Sequence, residues 1–166
     1  MPNLKIYLAG PDVFRPDQES LFATRKFLLK EAGFTPLCPL DNEIHEGLSG
    51  RDLARAIFEA NVSMIHDADI VIANCNDFRG QCIDDGTAFE VGVAAMARKI
   101  IFGYRDQLIT MTERIGIKDS NGWSVEPFGL STNLMIENAI INSSGQLIAG
   151  TFEDVIPLIS ARYTSE

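Results

Sequence analysis

Basic residues are scarce, with 14 Lys and Arg against 23 Asp and Glu, for a net charge of −9. A protein that holds a polynucleotide usually gathers Lys and Arg into a patch that displaces counterions from phosphates. No such cluster occurs, so nucleic acid and anionic membrane surfaces are disfavoured as partners. A small, weakly charged ligand suits this surface. No apolar run approaches the ~18 residues needed to cross a bilayer. The opening MPNLKIYLAG has neither a basic n-region nor a small-residue cleavage site, so a signal peptide is not expected. The three cysteines, Cys38, Cys75 and Cys82, are odd in number and form no CxxC pair. This argues against a disulfide framework or a zinc site and fits a reducing cytoplasm. The two histidines, His45 and His66, have no third ligand at metal spacing. GxGxxG, GxxxxGK[ST] and GxSxG are all missing, which disfavours the usual dinucleotide fold, a P-loop and serine hydrolase chemistry.

What is present is enough for a substantial core. Hydrophobic residues make up 46% of 166, a length that fits one domain spanning 1–166. Short apolar runs alternate with helical patterns. Leu4–Ala9 reads as a strand closed by Gly10-Pro11. A helix opens at Pro16-Asp17 and ends at Gly33. Phe34–Cys38 is a second strand, and Leu40–Gly50 a loop. Arg51–His66 has helical spacing. Asp69–Ala73 is a buried β-branched strand, Asn74–Asp85 a polar loop and Gly86–Arg98 a helix. Ile100–Tyr104 is the fourth strand. The segment 105–129 is long and mixed, as functional or mobile loops often are. Leu130–Ile141 looks helical, Gln146–Ala149 is a last short strand, and Thr151–Tyr163 is a helix with a cap-like Thr151–Asp154 pair. The alternation predicts a flavodoxin-like, doubly wound α/β sandwich on a five-stranded parallel sheet. Ligands of such sheets sit beyond the C-terminal strand ends.

The most informative stretch there is Asp84-Asp-Gly-Thr-Ala-Phe-Glu-Val-Gly92. Thr87 and Glu90 fit the capping box [ST]xxE, so Glu90 can serve simply to return to a backbone N–H, the commoner role on spacing alone. Alternatively, Glu90 sits in the first turn of a helix facing the ligand edge, where the helix dipole favours its ionised form. An ionised carboxylate in a crevice is the nucleophile that an anomeric carbon requires. Asp84, six residues earlier, is a second carboxyl group available as a general acid. Tyr7, near the end of the first strand, is either a core tyrosine or the hydroxyl that orients Glu90. Asn61 is either a satisfied polar residue between helix and sheet or a ligand contact.

Tyr7-Leu-Ala-Gly-Pro-Asp-Val-Phe14, Pro39-Leu-Asp-Asn42, Ala68-Asp-Ile-Val-Ile-Ala-Asn74, Gly86-Thr-Ala-Phe-Glu-Val-Gly92 and Asn133-Leu-Met135 follow one another as they do in nucleoside 2-deoxyribosyltransferases. The resemblance covers nearly the whole chain. It implies transfer of 2-deoxyribose between nucleobases through a covalent glutamyl ester, in nucleoside salvage, with deoxynucleosides and free bases as ligands and no cofactor. It casts Glu90 as nucleophile, Asp84 as the acid assisting the base, and Tyr7 as the group positioning Glu90. Gly10 and Phe14 match the loop beneath the base, and Gly86 lies in the matched motif that carries Glu90. Asn133 matches a sugar-binding asparagine that serves the neighbouring subunit's site, with Met135 beside it, which implies a homo-oligomer built from dimers with shared sites. Two positions depart from the pattern. Asn61 stands where some members have a sugar-binding aspartate, and Glu43 where some have a base-binding glutamine. Asp119–Phe128 resembles the purine-preferring members.

Two other readings compete. A hydrolase of deoxynucleoside 5'-monophosphates needs cations or serines to hold phosphate, and the first loop offers Arg15 but no serine run. A non-catalytic nucleotide-binding module would keep the pocket without the nucleophile, and the presence of Glu90 and Asp84 speaks against it. A flavin-binding protein would expect a hydroxyl-rich phosphate loop after the first strand, which is missing.

Overall fold

The computed structural model describes residues 3–42 and 47–163. Its elements are β1 (Lys5–Ala9), α1 (Gln18–Glu31), β2 (Thr35–Leu37), α2 (Gly50–Asp67), β3 (Ile70–Asn74), α3 (Asp85–Met96), β4 (Ile100–Arg105), α4 (Met111–Ile115), α5 (Leu134–Asn142), β5 (Gln146–Ala149) and α6 (Phe152–Tyr163). The strands form one sheet in the order β2-β1-β3-β4-β5, and every pair is parallel. The expected five-stranded, flavodoxin-like sandwich is what the chain forms. β3 is buried throughout, as a β-branched strand covered on both faces should be. β2 lies at an edge, where Pro36 costs no ladder bond that a central strand would need.

Alternation along the strands sorts side chains into two layers. Ile6, Leu8, Ile72, Phe102 and Tyr104 pack with Phe22 and Leu29 of α1 and with Phe152 and Ile159 of α6. Tyr7, Ala9, Val71, Ala73 and Ile101 pack with Ile65 of α2, Val91 of α3 and Ile140 of α5. Tyr7 therefore points toward the helix that carries Glu90. Gly103 of β4 lets α5 approach: a Cβ there would lie 2.7 Å from Leu147 Cδ1 and 3.0 Å from Ile140 Cδ1.

The segment 105–129 holds more structure than its composition suggests. Five-residue α4 is closed by a full capping box between Thr110 and Glu113, and Lys118 bridges Ser124. A helix this short leaves no hydrophobic period to detect. The Thr151–Asp154 pair holds as expected, with the Thr151 N–H and hydroxyl donating to Asp154 Oδ2 at 2.8 and 3.0 Å.

The chain leaves β1 for β2 on one side and reaches β3, through α2, on the other. That reversal opens a crevice at the C-terminal ends of β1 and β3. No described helix is long and apolar enough to cross a membrane.

Candidate active site

A cavity of about 570 Å³ occupies this crevice, within the range of small-molecule sites. Gly10, Phe14, Asn61, Asp84, Gly86 and Glu90 line it, together with apolar side chains such as Val13, Leu40 and Ile57. Six of the ten residues singled out from the sequence on these grounds thus meet in one place. Tyr7 lies beneath them, fully buried, and its hydroxyl donates to Glu90 Oε1 at 2.5 Å across 83 residues of sequence.

The capping-box reading of Glu90 is corrected by this contact. α3 starts at Asp85, so Glu90 belongs to its second turn, and its carboxylate meets the Tyr7 hydroxyl of β1. The cap is Asp84: its Oδ2 accepts from the Thr87 N–H at 2.9 Å and the Thr87 hydroxyl at 3.1 Å. An Asp three residues before Thr87 was the signal for this. The electrostatic expectation for Glu90 is also reversed. Burial pushes it up to about 7, and the Asp84 charge pushes the same way, against the Tyr7 hydroxyl and Gly10 backbone hydrogen bonding that pull it down. Beyond its first turn the helix dipole does not offset this desolvation. Tyr7 is itself driven well above the usual tyrosine range, first by burial and then by the Glu90 charge, so it stays a donor.

The loop after β1 is anchored by a buried cluster that the sequence did not suggest. Asp12 Oδ2 accepts from Arg25 Nη1 at 2.8 Å and from Asn74 Nδ2 at 2.9 Å. Arg25 Nη2 donates to the Tyr104 hydroxyl at 3.0 Å, and the guanidinium lies 4.9 Å from the Phe152 ring centroid. The ion pair is 8–10% exposed, a setting in which removal of one partner strands the other charge. Gly10 at φ 153° begins this loop, and a Cβ on it would come within 2.8 Å of Asn74 Cβ. Only glycine fits that approach.

The other cavity walls are less constrained. Asn61 Oδ1 accepts from Asn42 Nδ2 at 2.8 Å, so Asn61 is partnered and also faces the cavity. Exposed Phe14 stacks on Phe78 at 5.5 Å, and the Arg79 guanidinium sits over both rings. Arg15 is occupied by Asp17 at 2.8 and 2.9 Å. Glu43 and His45 lie outside the described residues.

Asn133 and Met135 are not brought to this cavity. Asn133 caps α5, accepting from the Met135 N–H at 3.0 Å, and lines a separate cavity of about 210 Å³ on another side of the α3 start. The two cavities share no lining residue. Met135 is 72% exposed. The Asn133 Nδ2 donates to Glu126 Oε1 at 2.7 Å, and the Leu134 N–H donates to Glu126 Oε2 at 2.9 Å. Among the described residues, no group of three or more His, Cys, Asp or Glu is placed to hold a metal ion.

The site therefore has a carboxylate held by a buried phenol, a second carboxyl on the same wall, and an apolar roof beside them. The sequence pattern described as Nucleoside 2-deoxyribosyltransferase matches residues 6–135. A solved 2-desoxiribosyltransferase from Leishmania mexicana is 33% identical, with 96% of this chain and 99% of that one covered at a TM-score of 0.81. A 2-deoxyribosyltransferase from Bacillus psychrosaccharolyticus is 22% identical over 92% of this chain and 90% of its own, at a TM-score of 0.61. A CMP N-glycosidase from Clostridium botulinum shares the fold at 14% identity and a TM-score of 0.56, with 95% of this chain and 98% of that one covered. With the motifs, the sheet and the match over most of its length in agreement, the chain belongs to the nucleoside 2-deoxyribosyltransferase family.

Proposed function

We propose that the protein moves 2-deoxyribose between nucleobases by double displacement at Glu90. The observation that carries this reading is the 2.5 Å Tyr7–Glu90 contact at the wall of a cavity that Asp84 shares. Tyr7 occupies Oε1, which leaves Oε2 to attack C1' of a deoxynucleoside. The C1'–O bond forms as the C1'–N bond breaks, and the bond's electron pair leaves with the base. Both Thr87 bonds fall on Asp84 Oδ2, which leaves Oδ1 to hand a proton to the departing base. Such assistance is typically worth ~10²–10⁴-fold. A second base then attacks C1', gives its N–H proton to Asp84, and returns the ester electrons to Glu90. Two inversions retain configuration.

A 2'-hydroxyl withdraws electrons from the oxocarbenium-like transition state, so a deoxyribose reacts more readily. Gly10 and Gly86, which have no side chains, line the cavity and would let backbone approach the sugar closely. Base preference is for purines, on the likeness of Asp119–Phe128, and the physiological setting is nucleoside salvage. Asn133 and Met135 do not line the Glu90 cavity of their own chain, which supports the reading that they serve a neighbouring subunit's site. The exposed Phe58, Phe89 and Met96 offer apolar surface for that assembly.

The test is incubation with deoxyinosine, with and without adenine, followed by chromatography of bases and nucleosides, with Glu90→Ala as control. Deoxyadenosine formed only with adenine, and lost in the variant, supports transfer. Hypoxanthine released equally with or without adenine, and no deoxyadenosine, rejects transfer in favour of hydrolysis. The hydrolytic alternative, an N-glycosidase of nucleoside 5'-monophosphates, is favoured by one observation: Arg79 stands over Phe14 at the cavity with no acidic partner among the described residues. A parallel incubation with deoxyinosine monophosphate decides it, since a phosphate held by Arg79 would make the monophosphate the better substrate.

A further inference from the structure

Segment 116–129 entered above only through its likeness to purine-preferring members, yet it also delivers one carboxylate to the place where α5 begins. Glu126 spans two donors there, the Asn133 side-chain amide at 2.7 Å and the Leu134 N–H at 2.9 Å. An asparagine at a helix cap normally uses only its oxygen, as Asn133 does toward the Met135 N–H at 3.0 Å. Its Nδ2 is then free to rotate with the side chain. Here Glu126 fixes it as well. With Oδ1 turned to the helix and one Nδ2 hydrogen on Glu126, the second Nδ2 hydrogen remains, pointing out of an exposed carboxamide. The group that this arrangement presents is a donor, suited to the oxygen of a sugar hydroxyl.

We propose that Glu126 is a positioning residue that locks the Asn133 carboxamide as a donor to the deoxyribose bound by a neighbouring subunit. This rests on the reading that Asn133 serves a shared site. Glu126 touches no substrate. It acts by charge-assisted hydrogen bonds that remove the carboxamide's alternative orientations before substrate arrives. The fold of 116–129 then has a purpose. The backbone turn at Asp119, whose carboxylate accepts from the Asn121 and Trp123 N–H groups at 2.8 and 3.0 Å, brings the chain back so that residue 126 meets α5.

The experiment is steady-state kinetics on Asn133→Ala, Glu126→Ala, Glu126→Gln and the double alanine variant, with deoxyinosine varied at saturating adenine. Asn133→Ala and Glu126→Ala are expected to raise KM for the nucleoside about tenfold, with kcat changing much less, as loss of a binding contact does. The double variant is expected to match Asn133→Ala alone, because Glu126 acts only through that amide. Glu126→Gln, which keeps one acceptor oxygen, is expected to fall between. Additive effects in the double variant would overturn the proposal, as would a Glu126→Ala loss confined to kcat. Asn133→Ala impaired with Glu126→Ala and Glu126→Gln both normal would reject the Glu126 role and leave the sugar contact standing. Normal kinetics for Asn133→Ala would reject the sugar contact itself, and the proposal with it.

Discussion

As the proposed nucleophile, Glu90 has to carry a negative charge in surroundings that disfavour one. Burial raises it to about 7, while the Tyr7 hydroxyl and the Gly10 backbone restrain the rise. Below that pH the carboxyl is mostly protonated and cannot attack C1', so in the Asp84→Asn variant, whose rate no longer waits on a second proton, kcat/KM should fall about tenfold per unit on the acid side and level off above. A profile of that variant flat from pH 5 to 8 would contradict the proposed nucleophile. The same shift bears on stability with the opposite sign. The folded group binds a proton up to about 7, whereas an unfolded glutamate releases it near 4.5. Between those values the folded state holds more protons, so its stability falls as pH rises. Glu90→Gln keeps an acceptor for Tyr7 and removes the charge. It should raise the melting temperature at pH 8, by an amount on the order of 2–3 kcal/mol in unfolding free energy, and leave it nearly unchanged at pH 4. Thermal denaturation at both pH values checks the sign. Residues like Asp12 and Arg25 show what a sequence conceals at this scale. They lie 13 positions apart, and each reads as a solvated charge. The faint trace was that Arg25 falls three after Phe22 and four before Leu29, on the apolar stripe of α1.

At the scale of elements, α3 joins two duties in Asp84. The side chain caps the helix through Oδ2, and the same residue lines the cavity. Substitution can part these duties. Asp84→Asn retains an acceptor for Thr87 and loses the titratable proton, so it should melt close to the native protein yet transfer at least ~100-fold more slowly. Asp84→Ala should lose a similar rate factor and a further ~1 kcal/mol of stability. Paired melting curves and rates distinguish the two, and equal melting of both variants would refute the cap. The strands were legible because β-branched runs end in Gly, Pro or Asn. Ile70–Asn74 and Gln146–Ala149 fall within a residue of where the pattern put them. Boundaries failed where the cue was local and shared: Thr87 with Glu90 mimics a capping box, and only the tertiary Tyr7 contact shows which way the carboxylate turns. α4 escaped notice because five residues make barely more than one turn.

For the whole molecule, the separation of the Asn133 cavity from the Glu90 cavity makes a prediction about mixtures. With the nucleoside well below its KM, where a raised KM lowers the rate, Glu90→Ala and Asn133→Ala subunits are each expected to be impaired alone. If the protein is the proposed dimer with shared sites, refolding the two variants together should give mixed dimers that contain one site with both native residues. If pairing is random, half the dimers are mixed and half their sites are intact, so activity should recover to about a quarter of the native value. No recovery would mean that each chain completes its own site. The family resemblance already set Asn133 and Met135 apart from Glu90, but the residue pattern by itself could not, because adjacency across α3 depends on how the sheet stacks its helices.

The contact between Tyr7 and Glu90 also dates the site in the life of the chain. β1 must wait for β2 and then for β3 before it is flanked on both sides. A nascent chain emerging from the ribosome cannot form the Tyr7–Glu90 pair until α3 has followed, 83 residues after Tyr7. Long-range parallel pairing of this kind is slow to close. On the proposed function, chains that end before α3 should therefore be inert toward nucleosides.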